Sequence, residues 1–257
     1  MPRVTDMRHV PADRPTIDTN MAKRWFCMHL GLVGLASVLI TSNLRAQTKE
    51  KKSRETIDAF FAAIKTDQLE IVRLWLARGM DVNAFDSEGD PILMGAVRHN
   101  ASRVFQLLLS VQDLQVDAKN KLGETALMIA ALTGDLVKAK QLVSANAQIN
   151  RFGWTPLHYA ASAGQLEMMR WLIEHSAYLD AESPNRTTPL MMAARQDQIP
   201  AMTLLLEEGA DPSCRNDAGL NAADYLARNG RMEAARRMDV AARAYRKRYD
   251  MDSPSKN

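Results

Sequence analysis

The sequence predicts an all-α fold: a solenoid of about six helix-turn-helix units joined by short finger turns. Three observations carry that expectation. An opening motif led by Gly89, Gly123, Gly153, Arg186 and Gly219 returns at spacings of 34, 30, 33 and 33 residues. A second motif, late in each unit, recurs in the same register. The composition is 46% hydrophobic but only 6% aromatic, and small or branched aliphatic side chains suit closely stacked helices better than a thick sandwich. A period in this range marks a repeat architecture, in which a unit too small to bury its own apolar face stacks on its neighbours.

The openings are Gly89-Asp90-Pro91-Ile92-Leu93, Gly123-Glu124-Thr125-Ala126-Leu127, Gly153-Trp154-Thr155-Pro156-Leu157-His158-Tyr159-Ala160-Ala161, Arg186-Thr187-Thr188-Pro189-Leu190 and the degenerate Gly219-Leu220-Asn221-Ala222-Ala223. In the later half of each unit, Leu69 to Leu74 matches Leu166 to Trp171, and Gly79-Met80-Asp81-Val82-Asn83 matches Gly209-Ala210-Asp211-Pro212-Ser213. Ala145 to Asn150 and Ser176 to Asp180 are variants of the latter. The third opening resembles the ankyrin opening G-x-T-P-L-H-x-A-A, and the resemblance to the ankyrin-repeat family covers roughly Arg54 to Met238. Two motifs recurring in register make it specific.

Each residue type has a physical role. Thr155 and Thr188 can cap a first helix through the hydroxyl, and Pro156 and Pro189 fit its first turn, where no amide hydrogen is needed. The pairs Ala130-Ala131, Ala160-Ala161 and Ala193-Ala194 let neighbouring helices approach. Gly134 and Gly164 can end first helices in the left-handed region, as Gly79 and Gly209 can for second helices. Asn100 stands where a helix-ending glycine is expected, and asparagine also tolerates that region. Trp75 and Trp171 fall at aliphatic positions of second helices and are expected in the core.

The units are read as 54–85, 86–118, 119–150, 151–181, 182–214 and 215–238, four internal repeats between two degenerate caps. Gly153 follows Asn150 after only two residues, where other units have five. The finger of unit four is therefore shortened by three. A basic tail, 239–257, follows the repeats. Within 229–249 a helical pattern with Met232, Ala235, Met238 and Ala242 as its apolar stripe reads as an extension of the last helix, or as a contact for an anionic partner or lipid surface.

Residues 1–46 read as an address. Residues 1–20 lack apolar periodicity; then come Lys23-Arg24, the apolar run Trp25 to Ile40, Thr41-Ser42-Asn43 and Leu44-Arg45-Ala46. Basic, apolar and polar regions in that order form a secretory signal. Cleavage is expected between Ala46 and Gln47, ahead of a short linker, 47–53. A start at Met21 would give a signal of ordinary length. The alternative is an uncleaved anchor, but 16 apolar residues rise only about 24 Å as a helix against a bilayer core of about 30 Å. Cleavage is favoured, with no stable membrane insertion afterwards and a location in the periplasm or outside the cell.

Charge and chemistry narrow the function. Residues 1–46 hold six basic and three acidic side chains and 228–257 hold nine and four, which leaves 18 basic and 23 acidic of the chain's 33 and 30 for the middle. A nucleic-acid binder carries its positive charge on the folded body, so nucleic acid is not expected as a partner. The two cysteines are Cys27, inside the leader, and Cys214, so the mature chain is not a disulfide scaffold. No Cys/His cluster has metal-ligand spacing, and no glycine-rich phosphate loop appears. His158 is the motif histidine, expected to bond near the Thr155 turn; His99 and His175 fall in different units, with no acid or nucleophile at a shared position. No cofactor and no enzymatic activity are expected.

The resemblance implies an interaction module whose partner is another protein. A secretion signal without disulfides is similar to exported bacterial ankyrin-repeat proteins, some of whose pseudomonad relatives are associated with catalase and peroxide defence. The expected function is that of a periplasmic accessory to an envelope or oxidative-stress enzyme such as catalase; the alternative is a secreted effector that binds host proteins. The repeat pattern puts Arg98, His99, Leu122, Glu124, Phe152, Trp154, Arg195 and Gln196 on the finger and first-helix surface. Trp154 is expected to anchor the partner, flanked by Arg98 and Arg195. Phe152 and Trp154 can instead close the shortened finger by packing on each other.

Overall fold

The structure, a computed structural model, describes residues 56–249. The expected leader and linker and the last eight residues lie outside the described residues. The chain divides into two compact units, Met1–Thr56 and Ile57–Asn257, and the second carries the repeats. No described helix is long and apolar enough to cross a membrane; the apolar run at 25–40 is not among them.

Among the described residues twelve helices form six pairs. The first helices are α1 (56–65), α3 (Ile92–Arg98), α5 (Ala126–Thr133), α7 (Pro156–Ala163), α9 (Pro189–Arg195) and α11 (Ala222–Arg228). The second helices are α2 (Leu69–Ala77), α4 (Ser102–Leu109), α6 (Leu136–Ser144), α8 (Leu166–Glu174), α10 (Ile199–Glu207) and α12 (Met232–Arg248). Among the described residues there is no strand, only an isolated bridge between Phe85 and Pro91. This is the helical solenoid that the spacing predicts.

Helices of seven to nine residues are too short to persist alone, so tertiary packing holds them. First helices from α3 to α11 pack successively side by side. Wedged between neighbours and its own α6, α5 buries every residue from Ala126 to Ala131. Ala160 and Ala161 are wholly buried, as their small size requires. Second helices keep one wet flank: α8 buries Met168, Met169, Trp171 and Leu172 and exposes Glu167 and Arg170.

Within each pair the chain reverses through the left-handed region, at Asp67, Asn100, Gly134, Gly164, Asp197 and Gly230. Where the residue has a side chain, that side chain spans to the next unit. Asp67 accepts from the Val104 backbone N–H at 2.9 Å and from Arg103 Nε at 3.1 Å. Asn100 accepts from Lys138 Nζ at 2.7 Å, and Asp197 pairs with Arg231. At Gly134 and Gly164 the next unit's glutamine, Gln165 or Gln198, lies over the bare Cα where a Cβ would clash with it, whereas a Cβ on Gly230 would meet nothing within 4 Å.

Two expectations change. Trp75 is only half-buried, whereas Trp171 is buried. α2 packs against α4 of the next unit, and Val72 is its one fully buried residue. The boundary drawn at Met238 falls inside a continuous helix, since α12 runs to Arg248 and buries Ala235, Met238 and Ala242, leaving Met232 outside.

Candidate protein-binding surface

Four fingers share one turn. The backbone N–H groups of Asp86, Asn120, Ser183 and Asn216 each donate at 3.0 Å to the carbonyl four residues on, at Asp90, Glu124, Thr187 and Leu220. The side chains of the same four residues accept the return N–H from those positions. A second ladder ties unit to unit, in which Asn83, Asp117, Asn150 and Asp180 accept from the backbone N–H of Gln115, Gln148, Tyr178 and Asp211. From ladder residue to the opening position is six residues at Asn83–Gly89, Asp117–Gly123 and Asp180–Arg186, but three at Asn150–Gly153. The shortened finger thus lacks the residue that closes the turn, while its ladder residue stays in place.

The structure joins two of the expected site residues. Arg98 lies back along α3, with Nε 3.1 Å from Asp90 Oδ2 and Nη2 3.8 Å from Glu124 Oε2. Glu124 also accepts from Tyr159 Oη at 3.0 Å and from Asn120 Nδ2 at 2.8 Å, and Asn120 donates to Asp90 as well. Units two, three and four are thereby linked by one polar network. Burial and then the Glu124 charge push the Tyr159 phenol well above its ordinary value, so it stays a donor. Asp90, Asn120 and Tyr159 were not among the expected site residues. The sequence marks Tyr159 only as the variable position of the TPLH motif, and pairing across units is invisible in a single repeat.

The other expected residues stand apart. His99 and Gln196 are exposed C-caps of α3 and α9, and Arg195 is exposed beside Gln196, its carbonyl accepting from Asn229. Leu122 is 76% exposed, and Phe152 is fully exposed. Trp154 is half-buried and sits edge-on to the His158 ring at 5.2 Å. Its expected prominence is therefore reduced, because a neighbouring ring covers part of it. Among the described residues no ring contact joins Phe152 to Trp154, and no ion pair, hydrogen bond or ring contact joins Trp154 to Arg98 or Arg195. The shortened finger is not closed by aromatic packing.

His158 is wholly buried. Its Nδ1 accepts from the Thr155 backbone N–H at 3.1 Å and lies 2.8 Å from the Thr155 hydroxyl, and its Nε2 lies 2.9 Å from the Thr187 carbonyl. An acceptor at Nδ1 and a carbonyl at Nε2 require the proton on Nε2. Burial lowers the ring's pKa to about 4, so it is a neutral strut between units four and five. Burial, then Asp211 and Asp180, push the Cys214 thiol up to about 12. Arg215, its nearest basic neighbour in sequence, is held by Asp224 at 3.1 Å. A thiol that stays protonated is a poor nucleophile. Among the described residues no group of three His, Cys, Asp or Glu side chains could hold a metal ion.

Comparison with known proteins agrees with this geometry. A family model for ankyrin repeats in three copies matches residues 93–183, one for many copies matches 60–109, and one for a single ankyrin repeat matches 185–217. The chain is 36% identical to the tyrosine-protein kinase Shark of Drosophila melanogaster over 50% of its own length and 14% of the kinase. It is 30% identical to the nuclear factor NF-kappa-B p105 subunit of Gallus gallus over 60% of its length and 16% of that protein. It is 26% identical to the B-cell lymphoma 3 protein homolog of Mus musculus over 85% of its length and 48% of that protein. The chain thus spans less than half of each of these relatives. The repeat is a non-catalytic interaction fold. With motif, helix pairing and family models in agreement between residues 60 and 217, the chain belongs to the ankyrin-repeat family and is built as a protein-interaction module.

Proposed function

We propose that this chain works after export, in the periplasm, as a binding accessory to an envelope or oxidative-stress enzyme such as catalase, and that the partner seats on the finger and first-helix face of units two to five. The observation that carries the surface is the set of outward side chains the scaffold does not use. Leu122 and Phe152 are exposed apolar residues on adjacent fingers, and Arg98 and Glu124 are held beside them in a fixed network. Trp154, partly covered by His158, remains an anchor with one face to offer; Arg195, Gln196 and His99 complete the rim. Aromatic and arginine side chains dominate the energetics of such surfaces. Export rests on the order of basic, apolar and polar residues from Lys23 to Ala46, and the link to catalase rests on resemblance to exported bacterial relatives.

One experiment tests both parts. The protein is recovered from the periplasm of the expressing cell, its N-terminus is sequenced, and the cross-linked partner is identified and titrated against wild type and Trp154→Ala. The expected result is a chain that begins near Gln47 and a partner bound at least about thirtyfold more weakly by the variant, about 2 kcal/mol or more if Trp154 is a hot spot. An intact N-terminus in the membrane fraction refutes cleavage in favour of the membrane anchor, recovery from the cytoplasm refutes the export, and equal affinity refutes Trp154 as the binding anchor.

A further inference from the structure

We propose that the gap left by the shortened finger is a docking groove for an extended acidic peptide segment of a partner protein, with one aromatic or large aliphatic side chain at its centre. This rests on the reading of the chain as a binding module and adds a separate site with its own ligand chemistry. Between the fingers of units three and five lies a groove of about 860 Å³ whose walls include Lys119, Arg151, Phe152, Tyr178, Asp180 and Glu182. Pockets of roughly 300–1,000 Å³ accommodate ligands of drug size, which is a few residues of peptide.

Three features select the occupant. Phe152 is fully exposed and Tyr178 is 67% exposed, so two rings offer apolar surface that nothing in the domain covers. The charges in the groove are unevenly matched. Asp180 accepts from the Asp211 backbone N–H, and Glu182 pairs with Arg186 at 3.3 Å. Lys119 and Arg151 have no ion pair among the described residues, and Arg151 Nη1 is shut from solvent without an acceptor. A buried donor left unpaired is costly, so the Arg151 side chain gains by turning its guanidinium out to a carboxylate in the groove. With Glu182 paired to Arg186, Lys119 and Arg151 stand against Asp180 alone, an excess of one positive charge, which calls for an acidic occupant. The backbone N–H groups of Arg151, Phe152 and Gly153 also make none of the turn bonds that close the other fingers, and free backbone donors suit an extended chain.

The test uses fluorescence anisotropy on the protein as purified from the expressing cell. One probe is a fluorescein-labelled, amidated pentapeptide of four glutamates around a central phenylalanine; the control replaces the glutamates with lysines. The acidic peptide should bind saturably and at least tenfold more tightly than the basic one. Phe152→Ser and the pair Lys119→Gln/Arg151→Gln should each weaken it tenfold or more without lowering the melting temperature, while Trp154→Ala changes it less than twofold. No saturation at millimolar peptide, equal binding of the two peptides, or wild-type affinity in both groove variants overturns the proposal. Light scattering that shows a dimer dissolved by Phe152→Ser would assign the groove to a second copy of the chain and overturn it equally. A natural partner that still binds when the peptide does not sinks the groove alone; peptide binding without partner binding sinks the wider surface alone.

Discussion

Asn150 Oδ1 accepts from the backbone N–H of Tyr178 at 2.9 Å while its Nδ2 donates to the Ser176 carbonyl at 2.7 Å, so one side chain clamps the loop of the next unit. Asn83 makes the same pair of bonds to Gln115 and Asp113. The clamp lets unit four lose its finger turn without losing register. Asn150→Ala removes both bonds and should cost about 1–3 kcal/mol, since each is worth about 0.5–1.5 kcal/mol net. Urea denaturation checks this, and an unchanged midpoint would show that the loop holds itself.

His158 gives the stack a pH dependence with a definite sign. Its folded pKa of about 4 lies below the ordinary histidine value of 6.5. Above pH 6.5 the ring is neutral folded or unfolded and its contribution is complete. As pH falls towards 4 the unfolded chain takes up a proton that the folded chain refuses, and stability is lost at about 1.4 kcal/mol per pH unit, on the order of 3 kcal/mol in all. Met128 and Met191 occupy the equivalent helical position in units three and five, so methionine fits there. His158→Met should lower stability at pH 7, because the Thr187 carbonyl loses its donor. It should also abolish the difference in slope between pH 6.5 and 4, measured as wild type minus variant in parallel denaturation series.

Gly95 sits inside α3, and a Cβ there would meet nothing within 4 Å. Glycine in a helix interior costs roughly 0.5–1 kcal/mol relative to alanine. Gly95→Ala should therefore stabilise the protein by about that amount, read as a raised melting temperature. A lowered one would mean that the neighbouring helix closes over the site.

Ala161, wholly buried in α7, has α5 on one side and α9 on the other. Ala161→Leu should force them apart at a cost of about 1–3 kcal/mol. Thermal melting by circular dichroism at 222 nm tests it. A wild-type melt would show slack between first helices that the packing does not suggest.

The sequence by itself determined the repeat, the number of units and the places where the chain turns. Those features are local: a threonine before a proline, a pair of alanines, and a glycine or asparagine at a positive φ each act within a few residues, and repetition multiplies the signal. The shortened finger was also legible, as a count of residues between Asn150 and Gly153. Tertiary structure decided what each side chain touches. The Arg98–Glu124–Tyr159 network spans three units, and the covering of Trp154 by His158 depends on ring orientation. Trp75 aligns with Leu172, which is wholly buried, and is itself only half-buried because α2 belongs to the first unit and α8 to an internal one. The exposure of Phe152 and Tyr178 and the unmatched charges of Lys119 and Arg151 follow from which fingers flank the gap. A one-dimensional pattern records where each residue lies in its own unit, whereas burial and charge pairing are set by the units on either side.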